Sequence, residues 1–159
     1  MKTRIRRFVN SDALRISEII RRCYMEVLVN YHSVEMLEKY LKNYTEPAII
    51  QRAMRKHVYT VISDDEIVGT GTISIDPSRN ISLLEGIYID PDFHGCGFGR
   101  KLIEYLEHDS FFTQTICTEL HASGFGAPFY RHLGYNDLDA LRRPDNEGLF
   151  TMFKYHLGF

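Results

Sequence analysis

The sequence predicts a mixed domain, α/β (α+β), in which helices pack on a central sheet. Three observations carry that prediction. Segments rich in β-formers interleave with segments of helical period, in the order strand, helices, hairpin, strand, helix, strand, helix, two strands. Hydrophobic residues make up 44% and charged residues 25%, a balance that supports a core rather than disorder. Finally, 159 residues without a repeat, a low-complexity tract or a linker-like stretch fit one domain over residues 1–159.

Each element has a local reason. Thr3 to Val9 alternates and is rich in β-branched and aromatic residues, which predicts a first strand. Asn10-Ser11-Asp12 supplies helix-cap residues, and Ala13, Ile16, Ile19, Ile20, Cys23 and Val27 then recur at helical spacing, predicting a helix over 12–29. Tyr31-His32-Ser33 breaks it. A second helix follows over 34–42, and Thr45-Glu46-Pro47 opens a third that runs to about Arg55. Val58–Ser63 and Ile67–Ile75 flank the turn Asp64-Asp65-Glu66 as a hairpin, with Gly69 and Gly71 weakening its second strand. Ile81–Ile89 is the most apolar strand, interrupted by Glu85-Gly86 and ended by Asp90-Pro91. Helices are predicted over 99–107 and 127–133, the latter closed by Gly134, and strands over 115–121, 135–141 and 149–157.

Composition excludes several classes. A net charge of -2 and a pI near 6.4 give no drive toward nucleic acid or an anionic membrane. No apolar run approaches the ~20 residues that span a bilayer. The basic start Met1-Lys2-Thr3-Arg4 has no apolar stretch behind it, so no signal peptide is expected. Three cysteines without CxxC spacing disfavour a disulfide framework and a zinc site, and the expected location is the reducing cytoplasm. The seven histidines lack HxxxH and HExxH spacing, so no metal site is expected.

The most informative segment joins strand 81–89 to the next helix. Gly95, Gly97 and Gly99 stand between them, with Arg100 and Lys101 following. Glycines let the backbone approach a ligand closely, and a helix start offers free N–H groups and partial positive charge, a combination suited to phosphate. Charge-assisted hydrogen bonds contribute about 1.5–3 kcal/mol each, so several together can hold a pyrophosphate. The spacing fails both the Walker A and the GxGxxG patterns. Glu119, at the spacing from Gly99 that a ribose-binding acid takes in dinucleotide folds, keeps a nucleotide-binding module open as a second reading.

The run Ile89-Asp-Pro91-Asp-Phe-His94-Gly-Cys-Gly97-Phe-Gly99 resembles the V-x-P-x-x-Q/R-x-x-G-x-G/A segment of GNAT-superfamily N-acetyltransferases. Downstream, Ala122-Ser123 followed by Phe129-Tyr130 and Gly134-Tyr135 is similar to a second stretch of that family. His94 departs from the usual Gln or Arg, which removes one side-chain contact and leaves the backbone cradle. The resemblance spans nearly the whole chain. It implies a mostly antiparallel sheet with a splayed central strand, and acetyl-CoA as co-substrate held by Ile87, Tyr88, Ile89, His94, Gly95, Cys96, Gly97, Phe98, Gly99 and Arg100. It further implies that the pantetheine pairs with strand 81–89 and that an N–H near Ile89 polarises the thioester carbonyl.

The implied reaction is direct attack by a primary amine of a small molecule or peptide within a ternary complex. An amine with a pKa near ~10 arrives mostly protonated and needs a base. Glu85 is the candidate, its pKa expected to rise through burial; a salt-bridged glutamate on the strand edge is the other reading. Tyr130 matches the family's general acid. A phenol at ~10 protonates a thiolate at ~8.5 only uphill by roughly 2 kcal/mol, so hydrogen bonding is its main expected contribution, and a core tyrosine is the bland alternative. Tyr24, Tyr31 and His32, with Tyr40 and Tyr44, fall where the family lines its acceptor pocket, although ordinary packing would also explain them. Cys96 near a helix start could be an activated thiol, but no His–Asp pattern accompanies it. Dimerisation is common in the family. A non-enzymatic CoA or nucleotide sensor is the alternative function.

Overall fold

The computed structural model describes residues 2–156. Its strands are β1 (Thr3–Arg7), β2 (His57–Ser63), β3 (Glu66–Asp76), β4 (Ile81–Ile89), β5 (Cys117–Ala122), β6 (Asn136–Asp137) and β7 (Phe150–Tyr155). Its helices are α1 (Ala13–Glu26), α2 (Val34–Leu41), α3 (Glu46–Arg55), α4 (Phe98–Leu106), α5 (Ser110–Thr113) and α6 (Ala127–His132). The strands form one sheet in the order β1-β2-β3-β4-β5-β7-β6, antiparallel throughout except for the parallel pair β4–β5.

The sheet is covered on both faces, which explains why β2 is buried from Val58 to Ser63 instead of alternating. On one face Ile16, Ile20, Tyr24, Leu37 and Ile49 from the first three helices form a core with Leu28, from the turn after α1. On the other, Leu102, Ile103 and Leu106 of α4 meet Tyr59, Val61, Val68, Ile73 and Leu84. The amphipathic periodicity of α1 and α4 is therefore satisfied by opposite sides of one sheet.

The helix start expected at Thr45 holds, with Thr45 accepting from Ala48 N (3.4 Å), and Ser33, read only as part of a break, caps α2 by accepting from Met36 N (3.2 Å). Asp12 does something else. Its buried carboxylate accepts from Arg6 (2.8 and 3.0 Å), Val9 N (3.1 Å) and Thr60 (2.9 Å), so it joins β1, the helix entry and β2 rather than capping α1. Burial alone would raise its pKa, but these hydrogen bonds outweigh it and leave the pKa lowered.

Three other boundaries differ from expectation. The single turn α5, started by Asp109 accepting from Phe111 N (2.8 Å), is too short to show a periodicity, and it delays β5 to Cys117. The strand expected over 135–141 shrinks to Asn136–Asp137. Beyond it the chain turns, as Asp139 accepts from Leu141 N (2.9 Å), and Arg142 takes a positive φ of 53°. The last strand was expected to reach Leu157, which lies outside the described residues; β7 ends at Tyr155.

The interruption at Glu85-Gly86 is a bulge. Thr70 pairs with Tyr88, but Thr72 pairs with Glu85, so Gly71 faces two residues of β4. Gly86 takes φ +61°, which suits a residue without Cβ.

Candidate active site

The register between β4 and β5 runs only from Ile81–Cys117 to Leu84–Leu120. Past Leu84, β4 bulges and runs on to Ile89 with no partner on that side, while β5 continues against β7. The expected splay is thus present, and it begins at the bulge. A cleft of about 930 Å³ opens there, bounded by β4, the loop into α4, the start of α6 and the helical segment from α1 to α3.

One end of the cleft is built from backbone. Gly95 and Gly97 take positive φ of 77° and 87°, and Gly97 directly precedes α4. The first amide of this region to find a backbone acceptor is Lys101 N, on Gly97 O (3.1 Å). The six amides from Gly95 to Arg100 have no acceptor among the described residues. An unpaired run of N–H groups at a helix start is a donor set that fits a diphosphate.

The base of this loop is pinned. Asp90 is 1% exposed and accepts from Arg15 (2.6 Å), Arg22 (2.7 Å) and Asp92 N (2.9 Å), which ties the end of β4 to α1. His94 does not reach outward as a Gln or Arg would. Its Nε2 lies 2.7 Å from the Ile89 carbonyl oxygen, and its ring stacks on Phe125. The Cys23 thiol donates to the same oxygen (3.1 Å), and burial pushes its pKa up to about 12, so it is a structural group. Because Asp90 N–H bonds Val68 O on the β3 side, Ile89 directs its N–H and C=O to the splayed side, where its carbonyl is already engaged.

The other end is built from side chains. Glu85 faces the cleft but lacks the burial on which its role as a strong base rested. Its side chain is 34% exposed and pairs with Lys56, the salt-bridged arrangement that the sequence left open. Tyr130 is 9% exposed, and its pKa is raised by burial, with no hydrogen bond acting on it. Tyr24, Tyr44 and Tyr88 cluster under the bulge, with the Tyr24 and Tyr88 hydroxyls 2.9 Å apart and the Tyr44 and Tyr88 rings in edge contact at 5.3 Å. Burial raises the pKa of all three, so they stay neutral hydroxyls.

Of the residues that the sequence singled out, Glu85, Tyr130, Ile87, Tyr88, Ile89, His94, Gly95, Gly97, Phe98, Gly99, Arg100, Tyr24 and His32 line this one cleft. Cys96 and Tyr31 do not. Cys96 is exposed, so its contribution is confined to its amide. Tyr31 packs edge-on against Phe125 (5.8 Å) and closes over Gly124. Sequence reasoning passed over Arg52, Lys56 and Asp90. Asp90 read only as a strand end, and the two cations lie on or beside a helix whose periodicity said nothing about the cleft. Among the described residues, no group of three or more metal-ligating side chains occurs, and no helix is long and apolar enough to cross a membrane.

A bulged, splayed strand feeding a diphosphate-sized amide cradle is the frame of an acetyltransferase. A family described as "Acetyltransferase (GNAT) domain" matches residues 54–137, and the chain belongs to that family. A curated relative, an uncharacterized acetyltransferase in the arcA 3' region of Streptococcus pyogenes, is 31% identical over 102 residues. That match covers 61% of this chain and spans 66% of the relative's length. Among solved structures, the PaiA N-acetyltransferase from Thermoplasma acidophilum in complex with coenzyme A superposes with a TM-score of 0.84 at 18% identity, over 98% of this chain and 100% of that one. Ard1 from Thermoplasma volcanium gives 0.75 at 16% identity, over 99% of each chain. At these identities the structural likeness establishes the fold.

Proposed function

We propose that this protein transfers the acetyl group of acetyl-CoA to a primary amine by direct attack within a ternary complex. One observation carries the proposal: six successive free amides, Gly95 to Arg100, open onto the same cleft as the unpaired edge of β4.

Acetyl-CoA supplies an acetyl group activated as a thioester. The amides of Gly95–Arg100 hold the diphosphate, and the positive φ of Gly95 and Gly97 aims them without side-chain obstruction. The edge of β4 beyond the bulge offers backbone groups to the pantetheine. The Ile89 N–H, on the side that β5 has left, polarises the thioester carbonyl and stabilises its developing negative charge. Glu85 accepts the proton of the incoming ammonium, directly or through a water, with Lys56 holding its carboxylate in place. Tyr130 donates a hydrogen bond to the departing thiolate. Since burial raises its pKa above that of a free phenol, full proton transfer is more costly still, and hydrogen bonding is what it contributes.

The test is an amine-library screen that follows release of the CoA thiol, paired with calorimetry of acetyl-CoA. Binding together with turnover of at least one amine is the expected result. Binding with no turnover of any amine would make the chain a sensor, and absence of binding would remove the reading altogether.

A further inference from the structure

One arginine that lines the cleft has no carboxylate partner among the described residues. Three arginines line the cleft: Arg52, Arg79 and Arg100. Arg79 pairs with Asp76 (2.8 Å) and Glu119 (3.1 Å), and Arg100 with Glu104 (2.9 Å). Arg52 has no carboxylate partner among the described residues. Its Nη2 donates only a long bond to the Asn43 carbonyl (3.4 Å), and its guanidinium lies 4.4 Å over the Tyr44 ring.

The acids of the same end are already engaged. Glu85 pairs with Lys56, Glu119 with Arg79, and Glu147 with Lys39 (3.4 Å). Asp145 accepts from the amides of Glu147 and Leu149 (2.9 Å each). Asp145 keeps its negative charge, so what distinguishes Arg52 is not the net charge of this end but a guanidinium that no carboxylate pairs. It is a planar fork backed by the Tyr44 ring, the geometry that binds a carboxylate through two parallel hydrogen bonds.

Its position matters as much as its charge. Arg52 also borders a small void under the bulge, together with Gly86, Tyr44 and Thr72. It therefore stands beside the stretch of β4 that carries Glu85. In an α-amino acid the carboxylate carbon is two bonds from the amine nitrogen. A group that grips that carboxylate must border the place where the amine is deprotonated, and Arg52 lines the same cleft as Glu85 and the same void as Gly86.

We infer that the acceptor is an amine bearing a carboxylate close to it, an amino acid in the simplest case, and that Arg52 is the residue that selects it. This rests on the acetyltransferase reading and narrows it. Purely cationic acceptors would meet the Arg52 guanidinium with no carboxylate to offer it.

Two measurements test it separately from that reading. In the first, CoA thiol release is followed for acceptor pairs differing by one carboxylate: tyrosine and tyramine, histidine and histamine, lysine and cadaverine. The wild-type protein should favour the carboxylated member of at least one pair by about tenfold or more in kcat/KM, the worth of a charge-assisted hydrogen-bond pair. Arg52→Met should collapse that ratio, and Arg52→Lys, which keeps the charge but loses the fork, should leave an intermediate one. In the second, calorimetry compares N-acetyl amino acids with their C-terminal amides on the CoA-loaded protein. The free acids should bind more tightly, and Arg52→Met should abolish the difference while CoA still binds. Because Arg52 stacks on Tyr44, thermal unfolding of each variant accompanies both measurements. Preference for the decarboxylated amines, or a ratio in either measurement that Arg52→Met leaves unmoved, overturns the inference even if acetyl transfer is confirmed. Loss of CoA binding by the wild-type chain would instead overturn the acetyltransferase reading and this inference with it.

Discussion

The two ends of the cleft solve recognition differently. The glycine-loop end presents main-chain amides that carry no net charge and do not titrate, fixed by backbone conformation at Gly95 and Gly97. The proposed acceptor end presents side chains from at least four elements, most of them locked in ion pairs: Lys56–Glu85, Arg79–Glu119 and Lys39–Glu147. A backbone site is robust to most substitutions and recognises what all family members share. A side-chain site changes with single substitutions and can differ from one relative to the next.

The sharpest way to break this comparison is at Glu85. Glu85→Gln should lower kcat by about 100-fold, the usual scale of general-base loss, while leaving acetyl-CoA affinity within about twofold. Steady-state kinetics with calorimetry reads both, and a matching loss of affinity would merge the two ends into one functional unit. Next in size is Gly97→Val. A β-branched residue is strained at φ +87° although the space around it is open, so the loop must shift. Acetyl-CoA affinity should fall about tenfold or more, equivalent to one or two charge-assisted bonds, with little change in melting temperature.

Tyr130→Phe should cost about tenfold in kcat, because a hydrogen bond to a thiolate is lost rather than a proton donor. A loss that disappears with an acyl-CoA bearing a better thiol leaving group would support that role.

The smallest effect concerns pH. The amides of the loop do not ionise, so acetyl-CoA affinity should stay flat from about pH 7 to 9, whereas kcat/KM should climb as the acceptor amine, with pKa near ~10, loses its proton. Stability moves at the other end of the scale. Asp109, held by Tyr59, Phe111 N and His57 against the effect of burial, has a lowered pKa, as has Asp12. Their contribution is fully present above the unfolded carboxylate pKa of ~3.9 and is lost as pH falls through the lowered folded values. Melting temperature followed by circular dichroism should be level at neutral pH and drop below about pH 4. A decline already present near neutral pH would point to histidine instead.

The fold was legible because it rests on period. The β-rich runs of β1 to β4, the helical recurrence of Ile16, Ile20 and Cys23, and the glycine at 86 are local patterns, and each appears where it was read. The glycine spacing likewise located the amide cradle. What failed was short or contextual: α5 is one turn, β6 is two residues, and Asp12 looked like a cap because its type favours one.

Local sequence was enough to set the strands, the bulge and a loop whose amides fit a diphosphate, since backbone conformation is set largely by neighbouring residues. Tertiary structure alone decided that Glu85 is paired with Lys56 and half-open to solvent, that Asp90 is clamped by two arginines from α1, and that Arg52 is left without an acid. Those outcomes join residues separated by 29 to 75 positions in the chain. No local pattern encodes such pairings, because an ion pair depends on where two distant side chains end, not on what precedes either of them.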